Sequence, residues 1–294
     1  MRYFDVFNGD ADGLCALQQL RLADPVDSEL VTGLKSEIAL LDRVPASPGD
    51  IVTVLDGSLE HNRAPLAGLL DRGAVVRYFD HHFSDPIPTH RNLEVILDVD
   101  GASCTSALMD SYLSGIHRPW AVVGAYGEGL HELATVLAAD LGLSPEELAS
   151  LQELGEALEY NAHCTEDLDA IMPPADVYRA IHRYVDPLDV IRDEPLIARL
   201  SLERKADLDR ALAKKPIASL DAFDAFLLPD EAWSRRVAGC FANRLALADP
   251  VRSHVVLTPT GEGYVVSVRS PEGSLPAGLP PFLDSIGIEK WKLH

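Results

Sequence analysis

Three short segments of the chain concentrate acids and histidines in patterns that suit metal binding. The first is Asn8-Gly9-Asp10-Ala11-Asp12-Gly13, the second centres on Asp56, and the third is Asp80-His81-His82. Carboxylates that alternate in a glycine-flanked turn can converge on one cation, because glycine permits the backbone that such a turn needs. Mixed carboxylate and imidazole ligands suit Mn²⁺, Fe²⁺, Co²⁺ or Zn²⁺ better than Ca²⁺.

Two other interpretations of the first motif stay open at this stage. One is a strand-to-helix turn in which Asp12 caps the helix. The other is an EF-hand calcium loop, since four residues match its positions 1, 3, 5 and 6, namely Asn8, Asp10, Asp12 and Gly13. The calcium interpretation is weaker, because Gln19 stands where that loop needs a bidentate glutamate and because a strand pattern precedes the motif.

Each motif follows a short apolar segment that is predicted to form a buried strand, at 3–7, 51–55 and 75–79. Helical periodicity separates these strands, at 13–22, 37–42 and 62–72. Strands that alternate with helices predict a parallel α/β sheet with helices on both faces. Ligands of such sheets gather at the carboxyl ends of the strands, so all three motifs are expected at one edge.

The length of 294 residues favours two domains. Further helices are predicted at 103–115, 119–141, 144–160 and 231–247, and further strands at 253–257 and 264–269. We therefore expect an α/β domain at 1–190, a charged connecting region with several prolines at 191–230, and a smaller α+β domain at 231–294.

Bulk composition excludes some classes of function. The net charge of −21 opposes a protein that coats long nucleic acid, although it suits an enzyme that gathers acids around metal ions. Four widely spaced cysteines favour reduced thiols rather than a disulfide framework. No apolar run reaches the roughly 18 residues of a membrane span, and the start lacks a signal-peptide pattern. We expect a soluble, cytoplasmic protein of unspecified oligomeric state that does not bind membranes.

Together the motifs resemble the DHH phosphoesterase superfamily over about residues 1–190. That superfamily includes single-strand-specific exonucleases, oligonucleotide and cyclic-dinucleotide phosphodiesterases, and manganese pyrophosphatases. Asp10 and Asp12 match its paired acids, Asp56 its single acid, and Asp80-His81-His82 the motif that names it. There are two departures: Asn8 stands where exonuclease-type members carry an acid, and Glu128 replaces the aspartate of the fourth motif.

The resemblance implies hydrolysis of phosphodiester bonds by a two-metal mechanism, with two Mn²⁺ ions, or with Mg²⁺ or Co²⁺ in their place. His81 and His82 are the implied catalytic residues. The implied metal ligands are Asn8, Asp10, Asp12, Asp56, Asp80, His81 and Glu128. The implied substrate is a small nucleotide or a short single-stranded oligonucleotide, because the acidic charge disfavours long polymers.

The C-terminal part departs further from the superfamily. The strand Val265–Arg269 resembles one of its DHHA1 domain, but no glycine-rich gripping loop follows, so this domain is expected to be shortened. A group of basic residues is expected to contact substrate phosphates, with a solvated helix face as the alternative: Arg204, Lys205, Lys214, Lys215 and Arg269. Glu128 and the missing loop also leave open a catalytically degenerate nucleotide-binding or regulatory protein. A structural metal protein or calcium sensor is the third alternative.

Overall fold

The structure, a computed structural model, describes residues 1–98, 103–163, 169–261, 263–271 and 273–293. The chain forms two compact units. The first comprises Met1–Ala162 and Ile171–Ser201, and the second comprises His163–Ala170 and Leu202–His294. Each unit is built on a five-stranded sheet with helices. The expected class, an α/β unit with a parallel sheet and a smaller α+β unit, is confirmed.

The first unit contains five parallel strands: β1 (Tyr3–Asn8), β2 (Glu29–Gly33), β3 (Ile51–Leu55), β4 (Val75–Asp80) and β5 (Leu93–Leu97). Their spatial order is β2-β1-β3-β4-β5, and every pair of neighbours is parallel. The three predicted strands are the central three, β1, β3 and β4. The two edge strands, β2 and β5, are additions that the sequence analysis did not identify.

The helices of the first unit follow the strands: α1 (Ala11–Ala23), α2 (Arg63–Asp71), α3 (Thr105–Tyr112), α4 (Arg118–Gly127), α5 (His131–Ala138), α6 (Pro145–Ala162), α7 (Pro174–Ile181) and α8 (Pro187–Asp193). The single helix predicted at 119–141 is two helices, because Gly129 adopts a positive φ of 75° between them. The helix predicted at 37–42 is a short 3₁₀ turn at Leu40–Arg43. Among the described residues, no helix combines the length and the apolar character that crossing a membrane requires.

Separate apolar cores cover the two faces of the parallel sheet. Phe7 and Phe79 pack with residues of α1, α3, α4 and α6 on one face. Val6 and Tyr78 pack with residues of α2 on the other. Because successive side chains of a strand point to opposite faces, predominantly apolar strands such as β1 and β4 can serve both cores. The central strands are thereby fixed, and so are the loops at their carboxyl ends.

Helix α9 (Pro195–Leu212) contains the boundary between the two units. The second unit then continues with β6 (Ala218–Ser219), β7 (Phe223–Leu227), α10 (Ala232–Ala248), β8 (Ser253–Thr260), β9 (Gly263–Arg269), α11 (Leu279–Ser285) and β10 (Trp291–Leu293). Its mixed sheet has the order β10-β9-β8-β7-β6. The helix and the two strands predicted after residue 230 are confirmed. The stretch 191–230, predicted as a connecting region, in addition supplies two strands to this sheet.

The cysteines fit the expected reduced state. Cys15 and Cys104 are buried, and the described cysteines Cys15, Cys104 and Cys240 form no disulfide bond. Cys164 lies outside the described residues.

Candidate metal centre

The carboxyl edge of the parallel sheet gathers the three acidic motifs. Asp10 follows β1 by two residues, Asp56 directly follows β3, and Asp80 is the last residue of β4. A cavity of about 110 Å³ opens at this edge. Its lining includes seven residues that could contact a ligand: Asn8, Asp10, Lys35, Asp56, His81, His82 and Glu128.

The paired acids of the first motif have different structural roles. The Asp10 side chain caps α1 by accepting a hydrogen bond from the backbone N–H of Gly13 at 3.0 Å. The cap is therefore Asp10 and not Asp12. Both carboxylate oxygens of Asp12 instead accept from the first turn of α3, at 2.6 Å from the N–H of Thr105 and 2.7 Å from that of Ser106. Asp12 thus anchors α3 beside the cavity.

Asp56 is held in an unusual backbone conformation. Its φ is +56°, in the left-handed region that few residues other than glycine adopt. The hydroxyl of Thr105 donates to Asp56 Oδ1 at 3.2 Å. Burial, followed by the charges of Asp10 and Asp12, raises the pKa of Asp56 well above its usual range. A buried carboxylate crowded by two others on a strained turn is a group that a cation would stabilise.

His81 approaches these same carboxylates. Its Nε2 lies 3.3 Å from Asp56 Oδ1 and 3.9 Å from Asp12 Oδ2. Burial lowers the pKa of His81, but the hydrogen bond to Asp56 and the charges of Asp12 and Asp56 raise it to about 10 overall. The surrounding carboxylates therefore favour the positively charged form of the imidazole, just as they would favour a bound cation.

His82 is oriented by Asp80. Its Nδ1 lies 2.7 Å from Asp80 Oδ1, and an ionised carboxylate can only accept, so Nδ1 carries the proton and Nε2 keeps its lone pair. The other Asp80 oxygen accepts from the N–H of Leu59 at 3.2 Å. Carboxylates that orient a histidine in this way commonly support metal ligands. The contacts of Asp80 are those of a positioning residue, and its predicted role as a ligand stays a prediction.

A second group of acids surrounds a lysine. Lys35 Nζ lies 3.1 Å from Asp10 Oδ2, 2.7 Å from Glu128 Oε1 and 2.8 Å from Glu159 Oε1. Burial raises the pKa of both glutamates, against the opposing charge of Lys35, to about 7. Glu128 lines the cavity and is paired with a cation of the chain itself, and its predicted role as a metal ligand stays a prediction.

Two residues of this group, Lys35 and Glu159, were not predicted from the sequence. A usable signal existed for Lys35, because Leu30 and the β-branched Val31 and Thr32 form a short strand-like run that leads into Gly33. If that run is taken as a strand, the rule of strand ends places Lys35 at the same edge as the acids. For Glu159 we find no local signal.

The donor atoms fit one divalent ion at the first group. Ligand atoms of Asp56, His81 and His82 lie within 4.8 Å of one another, and one oxygen with two nitrogens suits a transition metal. The side-chain oxygen of Asn8, which also lines the cavity, is buried without a hydrogen-bond partner among the described residues. At the second group, Lys35 already contacts one oxygen of each of the three carboxylates.

The basic residues expected to contact phosphates belong to the second unit or to the helix that leads into it. Arg204 and Lys205 lie on α9, and the exposed Lys214 and Lys215 follow its end. Arg269 ends β9, where it donates to Asn243 Oδ1 at 2.6 Å, and burial lowers its pKa. Contact of these residues with substrate stays a prediction.

The structure is similar to several solved structures. The DHH domain of a member of the s1p family of ribosomal proteins matches with a TM-score of 0.64 at 12% identity, covering 97% of this chain and 76% of that one. The exonuclease RecJ bound to manganese matches with a TM-score of 0.57 at 17% identity, covering 96% and 80%. CDC45 from Entamoeba histolytica matches with a TM-score of 0.55 at 10% identity, covering 97% and 87%.

No protein-family model and no curated protein sequence matches the chain. At identities this low, the structural matches establish a shared fold and leave the activity to be argued from the site.

Proposed function

We propose that this chain, which has the fold of the DHH superfamily, is a metal-dependent phosphoesterase. The observation that carries the proposal is the group Asp56, His81 and His82, whose ligand atoms converge at the carboxyl edge of the parallel sheet. This is the edge where ligands of open α/β sheets bind. The fold is shared with an exonuclease structure that contains manganese, which supports a divalent ion as the cofactor.

The side chains of the site have distinct roles in this proposal. Asp56, His81 and His82 hold the ion, and Asp80 keeps His82 in the tautomer that can ligate. When bound, the ion supplies Lewis acidity, which neutralises charge on the phosphate and lowers the pKa of water. Asp12 fixes the first turn of α3 and with it the Thr105 hydroxyl that donates to Asp56. These contacts hold the ligands in position before substrate arrives, which electrostatic catalysis requires.

The proposed substrate is a small nucleotide or a short single-stranded oligonucleotide. The cavity of about 110 Å³ is smaller than the roughly 300–1,000 Å³ that encloses a whole small molecule. It is therefore suited to the reacting phosphate group, with the remainder of the substrate outside. The net charge of −21 disfavours extended contact with a long polyanion.

The proposal is tested by metal-dependent hydrolysis. The protein is stripped with chelator, and a panel of dinucleotides, short oligonucleotides and cyclic dinucleotides is assayed with Mn²⁺, Mg²⁺ or Co²⁺ added back singly. His81→Ala should remove most of the turnover while leaving the fold intact, because His81 lies at a strand end. The matched control is His131→Ala, since His131 is exposed at the start of α5. Equal turnover in excess chelator would contradict a metal-dependent reaction.

A second candidate function is nucleotide binding without hydrolysis. It is favoured by Lys35, which neutralises carboxylates that would otherwise be available as ligands. Saturable nucleotide binding by the wild-type chain, with no turnover under any of the three metals, would support this candidate over the hydrolase.

A further inference from the structure

The ammonium group of Lys35 has one carboxylate acceptor for each of its three N–H groups. An ammonium has three N–H donors and no acceptor. Lys35 Nζ has three carboxylate oxygens within 3.1 Å, from Asp10, Glu128 and Glu159. Its donors are thus matched one for one by charged acceptors, which form the shorter and stronger class of hydrogen bond.

The three carboxylates come from separate parts of the first unit. Asp10 lies between β1 and α1, Glu128 directly follows α4, and Glu159 lies in the last turns of α6. Their side chains are 2%, 19% and 12% exposed, so little water reaches them. Burial lowers the pKa of Lys35, but the charges of Glu159, Asp10 and Glu128 raise it well above its usual range. A lysine is ordinarily a cation at neutral pH, and three carboxylates around Nζ stabilise that charge.

A divalent ion and this ammonium would compete for the same three carboxylates. Ligand atoms of Asp10, Glu128 and Glu159 lie within 4.8 Å of one another, a spacing that suits a metal ion when no other cation is present. With Nζ already in contact with all three, an incoming ion would have to displace it. In the group Asp56, His81 and His82, the positive charge nearest the carboxylate is that of the His81 imidazole, which can lose its proton and become a ligand, whereas an ammonium has no acceptor to offer.

We propose that Lys35 is a fixed cation that takes the place of a second divalent ion, so that the site binds one metal ion per chain. The inference rests on the proposed function, because it assumes that Asp56, His81 and His82 bind the remaining ion. It assigns Lys35 a positioning role: the ammonium holds Asp10, Glu128 and Glu159 together beside the metal and balances their charge.

The test counts metal ions, which needs no substrate. Metal-free protein is titrated with Mn²⁺ by calorimetry, and the bound metal is counted by mass spectrometry after gel filtration. We expect one ion per wild-type chain and two ions per chain of Lys35→Met, which keeps the length of the side chain but removes its charge. Lys35→Arg keeps the charge and should bind one ion. Lys292→Met, which removes an exposed lysine in the other unit, should also bind one.

Electron paramagnetic resonance gives an independent readout. One isolated Mn²⁺ in the wild type gives a six-line spectrum, whereas two adjacent ions in Lys35→Met should couple and broaden it. Adding Glu159→Gln to Lys35→Met should return the count to one ion, because the second ion then lacks a charged ligand. Retention of two ions in that double variant would overturn the assignment of the second ion to this group.

The outcomes separate the inference from the proposed function. Two ions bound by the wild type would overturn the inference alone and would leave the hydrolase standing. This count decides the matter even if Lys35→Met fails to fold, which circular dichroism would detect. One ion in a folded Lys35→Met would equally overturn it, since the lysine would then exclude nothing. No bound ion in the wild type would refute the proposed function, and the inference with it.

Discussion

Among single residues, Asp56 combines a buried carboxylate with an unfavourable backbone conformation. Its carboxylate is buried beside those of Asp10 and Asp12, and its backbone is in the left-handed region. Backbone strain persists where the surrounding structure enforces it, and it clusters at functional sites. The buried carboxylate should therefore lower the stability of the metal-free protein by a measurable amount.

We predict that Asp56→Asn makes the metal-free protein more stable and removes its response to metal. Asparagine tolerates the left-handed backbone, and its amide oxygen can still accept from Thr105, whereas the charge that repels Asp10 and Asp12 is gone. The measurement is the melting temperature with chelator and then with Mn²⁺. Most substitutions destabilise, so a rise in chelator would be informative. A variant that melts lower than wild type in chelator and still rises with Mn²⁺ would contradict the prediction.

The pairing of Asp80 with His82 leads to a second prediction at this scale. Asp80→Asn weakens the hydrogen bond that fixes the His82 tautomer, so Mn²⁺ affinity should fall by about 10- to 100-fold with the fold retained. Affinity is measured by competition with a fluorescent chelator. Asp71→Asn, which removes an exposed acid at the end of α2, is the control and should bind Mn²⁺ like the wild type. Unchanged affinity in Asp80→Asn would mean that His82 is not a ligand.

Among the secondary-structure elements, the close approach of α4 to the start of α1 brings the acids together. Gly127 makes this approach feasible, because a Cβ there would lie 2.2 Å from the Cβ of Ala11. Gly127 precedes Glu128, and Ala11 follows Asp10. The packing of two small residues therefore sets the distance between two of the carboxylates that contact Lys35.

We predict that Gly127→Ala destabilises the protein, although alanine is ordinarily the better helix former. Overpacking of this kind costs roughly 1–3 kcal/mol of unfolding free energy. Gly68→Ala in α2 is the matched control, since the nearest atom to its Cβ is the flexible end of Arg72 at 3.4 Å. There the change should stabilise by up to about 1 kcal/mol. Urea denaturation of both variants measures the difference, and equal effects would refute the packing argument.

The central strands could be predicted from the sequence, whereas the edge strands could not. The strands β1, β3 and β4 are predominantly apolar and mostly buried, and the acids at their carboxyl ends were predicted for that reason. The edge strands β2 and β5 are only partly buried, so their patterns are weaker and they were missed.

Local sequence patterns also could not predict the side-chain contacts between residues that are far apart in the chain. Glu159 lies in α6 with Glu153 and Glu156 at the same helical spacing, and nothing in that repeat singles out the acid that meets Lys35. For Asp12, a cap of the following helix was one of the interpretations left open, whereas its partners are the N–H groups of Thr105 and Ser106, about ninety residues later. The residue types of the site could be predicted, but their pairing could not.

For the whole molecule, the acidic charge sets an expectation about substrate length. With a net charge of −21, affinity for a polyanion must come from local contacts rather than from the overall field. Each added nucleotide brings another phosphate into that repulsive field. Short substrates should therefore be preferred over long strands.

We predict that kcat/KM peaks at about two to five nucleotides, because a compact basic group offers few phosphate contacts. Lys214→Ala with Lys215→Ala should raise KM more than it lowers kcat, as expected for binding that is equal in the ground and transition states. The measurement is a length series of single strands at fixed salt. A steady rise in kcat/KM towards long strands would contradict the prediction and would favour a processive exonuclease.

The three bonds of Lys35 also bear on the order in which the protein folds and acquires its metal. Many small metal-binding domains remain unfolded until the ion arrives, because the free energy of metal binding supplies their folding free energy. Here Asp10, Glu128 and Glu159 are joined by a cation that the chain itself carries from synthesis. The native structure should therefore form in a medium that lacks metal, and the ion should enter a protein that has already folded.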